Sequence, residues 1–108
     1  MNPTEFEGLA DAVLSRVFDA IEAADSDRAE VDLQDGVLTL EIDGSGTWVM
    51  NRHAPMQQLW LSSPRSGAHH FAVDAANGRW LSTRGDGDLL ALLQAELSAA
   101  LGTPVVLG

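Results

Sequence analysis

The stretch that decides the fold runs from Asn51 to Gly67 and reads NRHAPMQQLWLSSPRSG. Its centre alternates, with Gln58, Trp60 and Ser62 on one face of a strand and Leu59 and Leu61 on the other. Proline and glycine residues at both ends of the stretch are turn signals. The alternation therefore predicts a strand with one buried face, and it places a tryptophan on the polar face.

A tryptophan on a polar face has two interpretations. Burying apolar surface gains roughly 25 cal/mol per Å², so an indole among amide side chains is typical of a surface that a partner covers. The second interpretation is a tryptophan that a neighbouring loop half covers, and alternation alone favours the two interpretations equally.

Helices are predicted at both ends of the chain. Asn2 or Thr4 can cap a first helix that continues to about Ala24, and Asp88 can cap a second helix that ends at Gly102. Phe18 falls close to the acidic face of the first helix. The arcs that should pack are Phe6, Leu9, Ala10, Val13, Val17, Ala20, Ile21 and Ala24 in the first helix, and Leu90, Leu93, Leu97, Ala100 and Leu101 in the second, with Leu89 at the margin.

Six strands are predicted between the helices, near residues 30–34, 37–43, 46–52, 57–62, 69–74 and 79–82. The turns that separate them are too short for parallel crossovers, so an antiparallel meander is expected. Trp48, Met50, Phe71 and Val73 should point to the core, as should Trp80. The sequence thus predicts one α+β domain over residues 1–108, a two-layer sandwich in which the N- and C-terminal helices pack on one face of an antiparallel β-sheet.

Charge is concentrated in the first part of the chain. The formal net charge is −10, and residues 1–43 hold twelve acidic side chains and two arginines, whereas the rest holds four of each sign. Such a field repels nucleic acid and anionic lipid and attracts cations and basic proteins. With no apolar run near 18 residues and no basic leader, we expect no membrane partner and a bacterial cytoplasmic location.

The absence of cysteine excludes thiolate metal sites, a cysteine nucleophile and a cysteine-ligated iron–sulfur cluster in this chain. His69 and His70 are neighbours in a predicted strand and point to opposite faces, so they should not chelate one metal together. His70 could add a ligand or a proton switch on the open face. Ser62, Ser63 and Ser66 have no base and acid arrayed with them in sequence, so a hydrolase is disfavoured.

Eight carboxylates of the first helix, the turn after it and the first strand are named the acidic ridge. Their oxygens suit hard cations such as iron, manganese, calcium or magnesium. Binding should be weak, because a convex surface offers one or two oxygens per ion. A solvated face that only confers solubility is the alternative. The acidic ridge comprises Glu7, Asp11, Asp19, Glu22, Asp25, Asp27, Glu30 and Asp32.

The long pattern N-[KR]-x-x-P-x-x-Q-[IL]-W-L-S-S-P-x-S-G, which residues 51–67 fit, resembles the central strands of the frataxin family, including its bacterial CyaY-type members. The likeness extends almost end to end and keeps the family's order and spacing. It includes Phe6-Glu7-x-Leu9-Ala10-Asp11, Gly36-Val37-Leu38-Thr39-Leu40, Asn77-Gly78-Arg79-Trp80 and Leu89-Leu90-x-Leu92-Leu93-x-Ala95-Glu96-Leu97.

The resemblance implies an iron-binding protein that regulates iron–sulfur cluster assembly, as iron donor or iron sensor. Weakly bound ferrous or ferric iron would lie on the acidic ridge, which would also meet a basic surface of a cysteine desulfurase. Asn51, Gln58 and Trp60 would contact the desulfurase and the iron–sulfur scaffold protein, and His70 should project from the same face.

The chain departs from the family pattern at several positions. Pro3, Ala12 and Ser15 stand where carboxylates are frequent, and His53 stands where the family often has glutamine. The number of ions and the details of the contact therefore stay open, and we expect a monomer or iron-induced oligomers. The alternatives are an enzyme, a ferroxidase that oxidises and stores iron on the ridge, and a generic acidic binding module.

Overall fold

The computed structural model describes residues 1–85 and 87–107. Six strands form one antiparallel sheet in chain order, and two helices pack on one of its faces, as the sequence predicts. That the whole of residues 1–108 acts as one domain stays a prediction. The elements are α1 (Pro3–Ala24), β1 (Ala29–Gln34), β2 (Val37–Ile42), β3 (Gly46–His53), β4 (Gln58–Ser63), β5 (Gly67–Val73), β6 (Trp80–Ser82) and α2 (Leu89–Leu101).

Helix α1 begins at a capped turn, since Asn2 Oδ1 accepts the Glu5 N–H at 2.7 Å. It ends where Asp25 adopts a left-handed conformation with φ 48°. Its packing arc is rotated by about 40° from the predicted one at 100° per residue. Leu9, which was predicted to pack, is 40% exposed, and Leu14, which the prediction left out, is fully buried. Phe18 is half-buried against the core at the margin of the acidic face.

Helix α2 is capped at both ends by the predicted residues. Asp88 Oδ2 accepts the Ala91 N–H at 3.0 Å, and Gly102 ends the helix with φ 70°. Leu89 is fully buried, although the sequence placed it at the margin, and Leu90 is only half-buried. Val105 and Leu107 bury their side chains after the helix. No helix in the described part of the chain is both long and apolar enough to cross a membrane.

The sheet buries one face and opens the other. Trp48, Met50, Phe71 and Trp80 are all at most 3% exposed, as predicted, whereas Val73 is only half-buried. The neighbouring positions of each strand point away from the helices because side chains alternate along a strand. The open face therefore consists of the polar positions that the sequence pattern assigns to it.

A two-residue turn between β1 and β2 sets the register of the first hairpin. Asp35 and Gly36 both have positive φ, 52° and 76°, and Gln34 lies opposite Val37. Gly36 also lies against the Arg52 side chain, because a Cβ at this position would be 2.6 Å from Arg52 Nη1. Glycine is therefore required here both for its backbone conformation and for space.

We predict that Gly36→Ala destabilises the protein by about 2 kcal/mol or more, since alanine costs roughly 1–2 kcal/mol in a left-handed conformation and must also displace Arg52. Gly44→Ala is the matched control, because Gly44 has φ 81° and a Cβ added there would meet no other atom within 4 Å. Urea unfolding of both variants measures the difference. Equal losses of stability would show that Arg52 moves aside freely.

Candidate functional site

The predicted recognition residues lie together on the open face. In register, Asn51 of β3 is opposite Trp60 of β4, and Trp60 is opposite His70 of β5. Gln58 lies two residues before Trp60 on the same face of β4, opposite His53. The sheet thus brings all four predicted residues to one patch and adds His53 to it.

Trp60 is the middle ring of a three-ring stack. The centroid of the His53 ring is 3.7 Å from that of Trp60, the His70 centroid is 4.3 Å away on the other side, and both interplanar angles are 10°. The indole Nε1 donates to Gln58 Oε1 at 2.8 Å. Both faces of the indole are therefore covered, so a partner must meet its edge or the two imidazoles. This group is named the His–Trp–His stack.

The part that His53 plays in this stack was not predicted from the sequence. Its Nδ1 accepts the Met56 N–H at 3.3 Å, which holds the ring above the turn after β3. The signal lies in the strand register, which the sequence does not fix, because diagonal neighbours on adjacent antiparallel strands are within reach of aromatic side chains. The contact between His53 and Trp60 was not predicted because β4 was expected to start at residue 57 and the geometry of the turn before it was unknown.

A shallow recess of about 200 Å³ lies beside the stack. Asn51, Trp60 and His70 line it together with smaller side chains. The Asn51 amide donates its Nδ2 to the Arg52 carbonyl at 3.3 Å, so its Oδ1 is the atom oriented to accept from a partner. The smaller lining side chains on the same open face of the sheet are Val49, Ser62 and Ala68.

The acidic ridge is a band of mostly exposed carboxylates with one arginine at its N-terminal end. Arg52 binds Asp11 through Nη1 and lies 3.6 Å from Glu7 through Nη2, so it partly neutralises the N-terminal end of the ridge. Asp25 serves as the C-cap residue of α1. The other five carboxylates of the ridge are all exposed, and they are Asp19, Glu22, Asp27, Glu30 and Asp32.

Glu41 joins the ridge and was not among the predicted residues. It is directly opposite Glu30 on the neighbouring strand, and it lines a groove with Glu22, Glu30 and Asp32. Two carboxylates opposite each other repel, and a cation or a basic side chain relieves that repulsion. The strand register, which the sequence could not fix, is what places them together.

The described residues contain no group of three or more acidic or histidine side chains close enough to hold one metal ion. The ridge instead offers separate oxygen donors on an open surface, and oxygen donors are what hard cations prefer. Its geometry fits weak binding of ions that keep most of their water. His69 and His70 do not share a ligand site, since His69 turns to Ser66 on the other side of β5.

Glu96 of α2 is a buried carboxylate that the sequence analysis overlooked, and it is 8% exposed. Its Oε1 accepts from Trp48 Nε1 at 3.0 Å and from the Ser63 hydroxyl at 2.6 Å, and its Oε2 accepts from the Ser66 hydroxyl at 2.6 Å. Because the Ser66 proton points to Glu96, His69 cannot act as its base, although His69 Nε2 lies 2.8 Å from the same hydroxyl. The network anchors the β4–β5 turn to α2.

The surroundings of Glu96 set its ionisation. Burial acts to raise the pKa of Glu96, but the hydrogen bonds from Ser63, Ser66 and Trp48, assisted by His69, outweigh it and hold the pKa below its usual value. The carboxylate is therefore charged in the folded protein, and its partners stabilise that charge.

We predict that Glu96→Gln lowers the free energy of unfolding at pH 7 by about 1–3 kcal/mol, because buried donors lose a charged acceptor. A lowered folded pKa stabilises the protein fully above the unfolded value near about pH 4.3, and this contribution is lost as the pH falls through the folded pKa. The variant should therefore lose stability less steeply than the wild type as the pH falls from about 5 to 3.

Thermal unfolding across this pH range measures the effect, and Asp43→Asn, at an exposed position, is the control that should keep the acid dependence of the wild type. Identical pH profiles for Glu96→Gln and wild type would contradict the assignment.

Comparison with known proteins agrees with this architecture. Residues 1–103 match the family model described as a frataxin-like domain. This protein belongs to the frataxin family. A relative from Vibrio cholerae, named iron-sulfur cluster assembly protein CyaY, is 35% identical over 105 residues. The alignment covers 97% of the present chain and 97% of the relative.

Mitochondrial relatives are longer than this frataxin-family chain. The frataxin homolog of Schizosaccharomyces pombe is 35% identical, over 94% of this chain and 66% of the relative. The frataxin-like protein of Leishmania donovani is 40% identical, and 56% of it is covered. The present chain thus spans less than two thirds of either relative.

Solved structures of the family share the fold. Frataxin from Psychromonas ingrahamii superposes with a TM-score of 0.87 at 28% identity, covering 100% of this chain and 99% of the other. Trimeric yeast frataxin complexed with ferrous iron has a TM-score of 0.77 at 37% identity, with 88% and 87% covered. The predicted family and fold are confirmed.

Proposed function

We propose that this frataxin-family protein regulates iron–sulfur cluster assembly in the bacterial cytoplasm by docking, as a single domain, on a cysteine desulfurase and its scaffold protein. The observation that carries the proposal is the shared face. Glu30 and Asp32 of the ridge point from the same side of the sheet as Trp60, three strands away, which is about 14 Å at ~4.8 Å per strand. The name of the Vibrio cholerae relative supports the pathway.

The acidic ridge and the open face have different tasks. The acidic ridge attracts a basic protein surface over distance and speeds the encounter. The His–Trp–His stack, with Asn51 and Gln58 beside it, provides the short-range contacts, since a preformed aromatic anchor loses little conformational entropy on binding. One partner surface, or two adjacent partners, can contact both parts at once.

Iron is the cargo or signal in this proposal. The ridge holds ferrous or ferric ions through one or two carboxylate oxygens and water, and its weak binding suits an ion that must be passed on or sensed. The ferrous complex of yeast frataxin supports iron as the ligand of the family. A ferroxidase would need several carboxylates on one ion, so the open, separated donors of the described residues favour the regulatory role.

We predict that Trp60→Ala reduces affinity for the desulfurase–scaffold complex by about 30-fold, which corresponds to a hot spot of about 2 kcal/mol. The effect of the protein on the rate of cluster assembly should disappear at the same concentrations. Met56→Ala is the matched control, because Met56 is an apolar side chain that is 59% exposed outside the stack. Far-UV circular dichroism checks that Trp60→Ala is folded, and an unchanged assembly rate would contradict the role of Trp60.

We also predict that capture by the desulfurase depends on the position of the ridge charges. The variant Asp19→Asn/Glu22→Gln should associate about tenfold more slowly at low salt, and the difference should vanish in about 0.5 M salt because of screening. The variant Glu5→Gln/Asp74→Asn changes the net charge equally outside the ridge and should associate nearly as fast as wild type. Equal slowing in both variants would show that only net charge matters.

A further inference from the structure

The centre of the open face carries no permanent charge. The side chains around Trp60 on β3, β4 and β5 are amides, hydroxyls and small apolar groups, with two histidines among them. Histidine is the side chain whose charge ordinarily changes between about pH 5 and 8. The charge of this part of the face is therefore set by His53 and His70, the outer rings of the His–Trp–His stack. The uncharged positions are Val49, Asn51, Gln58, Trp60, Ser62, Ala68 and Ala72.

The recess beside the stack has the chemistry of an arginine site. Val49 and Ala68 offer apolar surface to an aliphatic stem, and the Asn51 Oδ1 and the Ser62 hydroxyl can accept hydrogen bonds from an occupant. A guanidinium is planar and presents several donors in fixed directions, whereas an ammonium is a compact point charge. Because both faces of the indole are covered, the guanidinium would meet the edge of Trp60 or the His70 ring. The neighbouring acidic ridge selects partners with basic surfaces, so charge complementarity also favours arginine.

We propose that this recess accepts an arginine side chain of the protein partner while His53 and His70 are neutral, and that protonation of His70 releases it. The inference rests on the proposed function, which supplies a basic protein partner. His70 lines the recess and is exposed, so its charge acts on the occupant directly. His53 lies on the far side of the indole and acts more weakly.

Protonation changes the stack and the recess in opposite ways. A charged imidazole against the indole is a favourable cation–π contact, so the stack itself persists at low pH. The same charge at the wall of the recess repels a guanidinium. Within residues 1–85 and 87–107, no carboxylate forms an ion pair with a histidine. The charged residues on strands β2–β6, apart from the histidines, are Glu41 and Arg52, and Arg52 is turned to Asp11 behind the sheet.

Short blocked peptides test the proposal without a natural partner. Acetyl-Gly-Arg-Gly-amide is titrated into the full chain at pH 7.5 and pH 5.5, and NMR follows the side-chain amide of Asn51 and the indole N–H of Trp60. Peptides with lysine or citrulline in place of arginine separate charge from shape. We expect both signals to shift with the arginine peptide only, and its affinity to fall about five- to tenfold at pH 5.5, the effect of one like charge nearby.

Variants assign the pH response to His70. His70→Gln should bind the arginine peptide equally well at both pH values. His69→Gln is the matched control, since His69 lies on the other face of β5 beside Ser66, and it should keep the wild-type response. In the wild type, by linkage, the arginine peptide should move the midpoint of the His70 ring titration to lower pH, which tests the coupling even if a variant is poorly folded.

Several results would overturn the proposal. These are unmoved Asn51 and Trp60 signals, equal binding of the lysine peptide, or stronger binding of the arginine peptide at pH 5.5. Because the peptides require neither desulfurase nor iron, their failure would leave the assembly test of Trp60→Ala intact. Conversely, a failed assembly test would leave a positive peptide result standing.

Discussion

Each strand of the sheet sends alternate side chains to the helices and to solvent, so the register of the hairpins decides which residues form the open face. A slip of one residue in β4 would bury Trp60 and expose Leu59 and Leu61. The turn at Asp35-Gly36 fixes the first hairpin, and its close contact with Arg52 ties that hairpin to β3. The stack and the ridge thus depend on the same backbone constraint, although they differ in chemistry.

The helical layer holds this register from behind. Glu96 connects α2 with Trp48 on β3 and with Ser63 and Ser66 around the β4–β5 turn. A buried carboxylate is costly unless each oxygen is satisfied, and here three donors satisfy it. The network joins a core tryptophan to the turn that leads to His70. A polar contact inside the sandwich therefore supports the position of an aromatic contact outside it.

Much of the architecture could be predicted from the sequence because its signals are local. Alternation gave the strands, dipeptides with glycine or proline gave the turns, and Asn2 and Asp88 marked the helix starts. The rotation of α1 was not predictable, because Leu9 and Leu14 are equally apolar and only tertiary packing selects between them. Composition alone does not determine which side of a broad apolar arc meets the sheet.

The candidate site was predictable only where alternation within a strand determines which face a side chain occupies. The open-face positions of Asn51, Gln58, Trp60 and His70 follow from alternation, whereas the place of His53 in the stack depends on a diagonal contact between strands. Glu41 and Arg52 were missed for the same reason, because their partners Glu30 and Asp11 are distant in sequence. Contacts across strands need the register, and periodicity within one strand does not provide it.

Arg52 makes the charge of the acidic ridge uneven. It binds Asp11 and lies near Glu7, so it reduces the negative field at the N-terminal end of the ridge. The negative field remains around the groove that is lined by Glu22, Glu30, Asp32 and Glu41. In the proposed function, a basic surface would be attracted first to the β1–β2 edge and would meet the His–Trp–His stack after that approach. Long-range attraction tolerates many orientations, whereas the flat stack and its recess accept few. In that proposal the position of Arg52 sets the order of the two steps, because it leaves the strongest negative field at the β1–β2 edge.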